Sequence, residues 1–213
     1  MAHVPAEQRR QQLITAAFQV VAKEGVAAAS TRRIAAEAGV PAGVVHYCFQ
    51  SRRELLTAMM SAVFEESEQA VRGVLSPVNA ATDSPEAQRA LRDGNEVGSS
   101  IAMALEQLWE LYRADPERHQ AVFDLTVDAL RQPETAEILR RHQARIDELG
   151  ESFLSALADQ AGVTWNRPVA VLSRLLIATV DGILLGWLID RDDTLAREGL
   201  ATLTMNLTTQ AKT

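Results

Sequence analysis

The residues best suited to chemistry are cationic and hydrogen-bonding groups crowded into one stretch. Thr31, Arg32 and Arg33 stand together, Arg52 closes the stretch, and between them runs Ala42-Gly43-Val44-Val45-His46-Tyr47. Guanidinium, hydroxyl and phenol groups of this kind suit phosphate oxygens, and such contacts fix orientation without reading sequence. Ala42 and Val44 offer contacts to thymine methyl groups, and His46 or Arg33 can reach a purine acceptor. That is a sparse set for reading base edges, so discrimination is expected to lean on half-site spacing and DNA shape.

Other chemistries lack their residues. There is no HExxH, no glycine-rich phosphate loop, no Cys-His pairing and no serine nucleophile motif. His3, His46, His119 and His142 are too dispersed for a metal site. The expectation is a protein that is not an enzyme and uses no cofactor or metal; a helical adaptor that binds only protein is the alternative, and an enzyme a remote one. Cys48 is the single cysteine, which rules out a disulfide within the chain and fits a reducing compartment. Packing is the favoured role for its thiol over a redox switch.

The elements that must position these groups follow from local signals. Thr31 to Ala38 and Ala42 to Phe49 read as two short helices separated by Gly39-Val40-Pro41, where glycine ends one helix and proline suits the start of the next. Two helices joined so tightly suggest a helix-turn-helix. Thr31 is the expected N-cap of the first. Ile34, Ala35 and Ala38, then Val45 and Phe49, face a small core. Before them, Leu13, Ile14, Ala17, Phe18 and Val21 form one apolar stripe of a longer helix ended by Gly25. After them, Ser51 and Glu54 make a capping box that opens a helix at Arg52.

Charge is unevenly spread over the 213 residues. Residues 1 to 56 hold seven Lys/Arg against four Asp/Glu, and the remainder 14 against 24. Segregated basic residues of this kind supply salt-dependent affinity for nucleic acid even in an acidic protein. Met1 to Arg10 is polar and has no apolar core, so no targeting peptide is expected and the cytoplasm is the expected location. Leu172 to Ile189 approaches the length of a short membrane span, but Ser173, Arg174, Thr179 and Asp181 interrupt it. A helix buried in protein on most sides is the expected account. Asp181 there reads as a structurally hydrogen-bonded carboxylate, with an anchor for a cation as the alternative.

The remainder reads as helix after helix. Arg52 to about Leu75 continues from the N-terminal unit, a loop is expected from Ser76-Pro77 through Ser84-Pro85, and the next segment, to Ala114, is interrupted near Asp93-Gly94-Asn95. Asp115-Pro116, Gln132-Pro133 and Arg167-Pro168 mark further boundaries. Helices over 116–131, 133–161, 167–190 and 193–210 follow. The fold class is all-α with about nine helices: an N-terminal three-helix helix-turn-helix domain over 1–51 and a larger helical bundle over 52–213.

The run from Gln8 to Met59 resembles the DNA-binding domain of TetR-family transcriptional regulators. Ala17-Phe18, Gly25, Thr31, Ile34-Ala35, Ala38-Gly39-Val40, Gly43, Phe49, Ser51, Arg52 and Leu55 carry the resemblance. Departures fall in the reading head, where Pro41, Ala42, Val44, His46 and Cys48 replace the Ser, Lys, Thr, Tyr and His that family members commonly carry. The resemblance implies a homodimer on operator DNA, with contacts expected from Thr31, Arg32, Arg33, Ala42, Gly43, Val44, His46, Tyr47 and Arg52. Trp109-Glu110-Leu111-Tyr112 and Asp181-Gly182-Ile183-Leu184 resemble the branch with a BetI-like C-terminal domain.

The resemblance further implies a repressor released from a palindromic operator by a small-molecule effector, although activation remains open. Met103, Trp109, Tyr112, His119, Phe123, His142 and Trp187 are the candidate effector-binding residues, chosen from the aromatic, methionine and histidine content of the middle helices. For the dimer interface the apolar spacing selects Leu172, Leu176, Thr179, Ile183 and Gly186, with Leu200, Leu203 and Leu207 on the last helix.

Overall fold

The computed structural model describes residues 5–75 and 96–212. Its described residues form nine α-helices: α1 (Ala6–Glu24), α2 (Thr31–Glu37), α3 (Ala42–Cys48), α4 (Arg52–Leu75), α5 (Glu96–Ala114), α6 (Pro116–Ala129), α7 (Pro133–Ala161), α8 (Val169–Asp190) and α9 (Asp193–Thr208). The expected loop from Ser76 to Pro85 and the break near Asp93-Gly94-Asn95 lie outside the described residues. Thr164–Trp165 and Ala211–Lys212 pair as two antiparallel strands, β1 and β2. Two residues per strand are too few to leave an alternating pattern in the sequence.

The helix boundaries have local causes. Gly25, at φ 81°, ends α1, and Gly39, at φ 65°, makes the corner between α2 and α3. Positive φ of this kind costs glycine no Cβ clash. The N-cap of α2 is Ser30 rather than Thr31: the Ser30 hydroxyl accepts the Arg33 N–H at 3.2 Å. Ser51 accepts the Glu54 N–H at 3.1 Å, and Glu54 reaches back to the Gln50 N–H at 2.7 Å. Asp115 caps α6 ahead of Pro116, and Asp192 caps α9.

The chain forms two compact units, Met1–Ser67 with Asp115–His142 and Glu68–Ala114 with Gln143–Thr213. These follow different lines from the expected domains 1–51 and 52–213, because α6 and the start of α7 group with α1 to α3. Leu13, Ala17, Val20, Ile34, Val45, Phe49, Leu55, Met59 and Phe64 share one core with Ala121, Leu125 and Ala129. The Asp124 carboxylate accepts the Val26 N–H at 3.0 Å, and the Arg118 guanidinium lies over the Phe18 ring at 5.2 Å. These contacts join positions about 100 residues apart, which helical periodicity cannot reveal.

In the second unit α9 packs against both α5 and α8. The expectation that the apolar helix near 172–189 is buried on most sides is corrected. Leu172, Ser173, Leu176, Val180, Leu184 and Trp187 are buried on one side of α8, whereas Val171, Leu175, Ala178, Gly182, Leu185 and Ile189 are exposed on the other. By length and composition α8 would suffice to cross a membrane.

Candidate functional site

The reading head is built from α2 and α3 on the core supplied by α1 and α4. Ile34, Ala35, Val45 and Phe49 point inward, and helical geometry then turns the opposite faces outward. Arg32, Ala42, Gly43, His46 and Tyr47 are exposed, Tyr47 at 83%, while Thr31 and Val44 are half-buried. A tyrosine this exposed contributes little to packing, so its ring and hydroxyl are available to a partner.

Two of the residues expected to contact DNA, Arg33 and Arg52, also make hydrogen bonds within the chain. Arg33 makes three hydrogen bonds, two to Glu24 at 2.9 and 2.6 Å and one to Glu37 at 2.8 Å. Those bonds raise the Arg33 guanidinium above its ordinary value. Lys23, then Arg33, hold Glu37 below the usual carboxylate range. Arg52 donates to the Ala29 and Val26 carbonyls at 2.7 and 2.8 Å, so the first residue of α4 fastens the α1–α2 connection. Arg10 similarly donates to the Cys48 carbonyl at 2.8 Å and lies over the Phe49 ring at 4.1 Å. Arg10, Arg33 and Arg52 therefore also brace the head. Arg32 remains exposed, as does Arg53, whose distance to Glu134 is 3.7 Å.

The seven candidate effector residues divide between the units. Met103, Trp109, Tyr112 and Trp187 belong to the second, and His119, Phe123 and His142 to the first. Trp109 and Trp187 meet edge to face at 5.2 Å. His142 stacks on Phe64 at 4.4 Å, a packing role. Burial, with the neighbouring Arg118 charge adding, pushes His119 down to about 4, so it is neutral at physiological pH. Burial raises the Tyr112 phenol, with the negative charge of Asp181 adding.

Asp181 departs from the expected structural role. Among the described residues it has no hydrogen bond or ion pair, and desolvation pushes its carboxyl up to about 6. Trp109 is 2% exposed, and its indole Nε1 has no hydrogen-bond partner. By contrast, Trp165 Nε1 donates to the Leu154 carbonyl at 3.0 Å and Trp187 Nε1 to Asp193 at 2.6 Å.

Five of the eight residues expected at the dimer interface are core positions of the chain itself. Leu172, Leu176, Leu200, Leu203 and Leu207 are buried within their own unit, so they form the core beneath the face. Thr179, Ile183 and Gly186 are half-buried, and Ile183 packs on Gly199, where an added Cβ would come within 3.1 Å. The free apolar surface instead follows Val171, Leu175, Ala178, Gly182, Leu185 and Ile189, spaced alternately four and three residues apart.

The N-terminal family model for bacterial regulatory proteins of the tetR family matches residues 13–59. A tetracyclin repressor-like C-terminal domain matches residues 98–209, more than half the chain. The chain belongs to the TetR family. It is a DNA-binding transcriptional regulator, and α2 and α3 are its helix-turn-helix.

The HTH-type nicotine-responsive transcriptional repressor HdnoR of Paenarthrobacter nicotinovorans is 31% identical over 187 residues, 87% of this chain and 86% of HdnoR. The HTH-type transcriptional regulator BetI of Stenotrophomonas maltophilia (strain R551-3) is 30% identical over 178 residues, 83% of this chain and 80% of that protein. A transcriptional regulator from Rhodococcus sp. Rha1 shares the fold, with a TM-score of 0.73 at 22% identity and coverage of 96% and 98% of the two chains. Within this TetR-family chain, sequence reasoning missed Asp124, whose bond to Val26 becomes visible only once α6 lies beside α1.

Proposed function

We propose that the protein is a repressor that holds a palindromic operator as a homodimer in the cytoplasm and is released by a small organic effector taken up by the second unit. The observation that carries the DNA part is the outward face of the head, where Arg32, Ala42, Gly43, His46 and Tyr47 are exposed over the buried Ile34, Ala35, Val45 and Phe49. Arg32 and Tyr47 supply phosphate contacts, Ala42 and His46 the few base contacts, and Gly43 lets the backbone approach. Arg33 and Arg52 act by holding α2 and α4 in place.

The second copy occupies the α8 stripe. Val171, Leu175, Ala178, Gly182, Leu185 and Ile189 repeat at the spacing that brings paired helices together along one seam. Among the described residues, nothing beyond the helix's own nearby backbone comes within 4 Å of a Cβ built at Gly182, so the seam leaves room for a helix backbone to approach. Leu195 and Met205, at 59% and 61% exposure, extend apolar surface along α9. A two-fold axis would set two reading heads about one DNA turn apart.

Effector response is supported by HdnoR, described as nicotine-responsive, and by the unpartnered polar groups of the second unit. α4 and α7 each contribute residues to both units, with divisions at Ser67/Glu68 and His142/Gln143. A change in α4 tilt on effector binding is therefore the proposed route to the head. Binding and release are then reciprocal: operator DNA weakens the effector by the same factor. The test combines sedimentation with fluorescence-anisotropy titration of upstream DNA at several salt concentrations. A dimer that binds with strongly salt-dependent affinity is expected; a monomer with salt-independent binding would refute the reading.

A further inference from the structure

Helix α3 has the sequence Ala42-Gly43-Val44-Val45-His46-Tyr47-Cys48. Val45 and the following Phe49 are buried. Base edges can therefore meet only Ala42, Gly43, His46 and Tyr47, which are exposed, and the half-buried Val44. The N-terminal residues of a helix docked in this way are the ones that contact bases. In α3 these are Ala42, Gly43 and Val44, whose side chains hold no donor or acceptor. A side chain as short as that of Ala42 reaches a base only if the helix backbone comes close. Among the described residues, nothing beyond the helix's own nearby backbone comes within 4 Å of a Cβ built at Gly43, so the approach is open.

What α3 lacks is equally informative. Telling adenine from guanine in the major groove takes a two-pronged contact, from Asn or Gln to adenine N6 and N7 or from Arg or Lys to guanine O6 and N7. α3 contains none of these four residue types. Arg33 stands on α2, and its guanidinium donates to Glu24 and Glu37. His46 lies one turn beyond Ala42 on the same side of α3. An imidazole N–H makes one hydrogen bond, and N7 accepts it on either purine. On the pyrimidine, an apolar side chain detects the C5 methyl and does not register whether C4 carries an oxygen or an amino group.

We propose that α3 recognises a 5-methylpyrimidine, with Ala42 on the C5 methyl and His46 donating to a purine N7. 5-Methylcytosine paired with guanine then replaces thymine paired with adenine in each half-site, and methylation of a cytosine at that position turns a poor site into a full one. This rests on the operator reading above and names the chemical class of base that the operator must present. Unmethylated cytosine leaves the apolar contact empty, and so does uracil.

The test is fluorescence-anisotropy titration of the full chain with an operator selected from a random DNA pool. Its preferred T·A pairs are changed one position at a time, in both half-sites, to uracil·adenine, 5-methylcytosine·guanine or cytosine·guanine. At the pair α3 reads, uracil should weaken binding about fourfold per half-site, the transfer free energy of one carbon, and about fifteenfold over both. 5-Methylcytosine·guanine should bind as the selected operator does, and cytosine·guanine as weakly as uracil·adenine. Ala42→Gly should remove the uracil penalty, with a melting curve to identify any loss caused by unfolding. A selected motif without T·A pairs, no uracil penalty at any position, or 5-methylcytosine binding no better than cytosine where uracil weakens would overturn the proposal. So would an undiminished penalty in folded Ala42→Gly.

The unmodified operator separates this inference from the reading on which it rests. Salt-dependent, selective binding of that operator with no effect of the C5 methyl would uphold the operator reading and sink methyl recognition. Failure to prefer any sequence over random DNA would sink both.

Discussion

In the first unit Arg10, Arg33 and Arg52 all end on oxygen atoms of nearby residues, whereas in the second Asp181 and the Trp109 indole end on none among the described residues. Ser30, Ser51 and Asp124 extend the contrast, each satisfying a backbone N–H near the end of a helix or at the connection beside it. A DNA-reading surface gains from rigidity, because each contact depends on side chains being held before the duplex arrives. A ligand site gains from polar groups that stay costly until a partner arrives. The two regions therefore use the same kinds of side chain to opposite ends.

The sharpest way to break the comparison is to remove the packing beneath the head. Phe49 is 2% exposed in the shared core, and Phe49→Ala should cost about 3–5 kcal/mol of stability. Thermal melting should show that loss together with loss of DNA binding. A protein that still bound DNA tightly would mean that the head does not need its rigid support.

Next comes the exposed seam. Leu185→Glu places a charge on a surface residue of the separate chain, so circular dichroism should show helix content retained. Sedimentation should show monomer, and operator affinity should fall by about a hundredfold or more as the second head is lost. An unchanged dimer would place the interface elsewhere.

Arg32→Ala should weaken binding to all DNA sequences alike, by up to about tenfold, and lower the salt-dependence slope by about one. Arg33→Ala should instead lower melting temperature and leave that slope unchanged, since its guanidinium is bound to Glu24 and Glu37. The reverse pattern would exchange their assigned roles.

The smallest effect concerns Asp181. Its carboxyl lies at about 6 in the folded protein against 3.8 ordinarily, so the fold binds that proton more tightly than the unfolded chain does. Its contribution to stability is complete below about pH 4 and is lost as pH rises through 6. Asp181→Asn should therefore gain melting temperature relative to the parent over that interval and keep the gain at pH 7. A pH-independent difference would show that the carboxylate is not destabilised where it sits.

Much of the head was legible because its signals are local. Gly39 and Pro41 marked the corner, Ser51 and Glu54 the start of α4, and the prolines at 116, 133 and 168 the later boundaries. The destination of each polar group was not legible. Nothing in the spacing of Arg33 or Arg52 separates a phosphate contact from a bond to a neighbouring carboxylate or carbonyl.

α8 exposes the same limit for apolar residues. It carries leucines, isoleucines and valines around most of its circumference, so periodicity supplies two competing stripes and only packing decides which turns inward. The buried stripe, with Leu172 and Leu176, has the larger side chains and attracted the interface assignment. The exposed stripe runs through Ala178 and Gly182, whose small side chains make it look weaker in sequence and easier to approach in structure.

Selection of bound sequences from a random DNA pool by the full chain tests the central claim most directly, that a rigid head reads DNA as one of a two-fold pair. The account predicts an enriched motif of two inverted half-sites centred about one helical turn apart, each with only a few strongly preferred bases. Enrichment of a single half-site, or of no sequence at all, would contradict it.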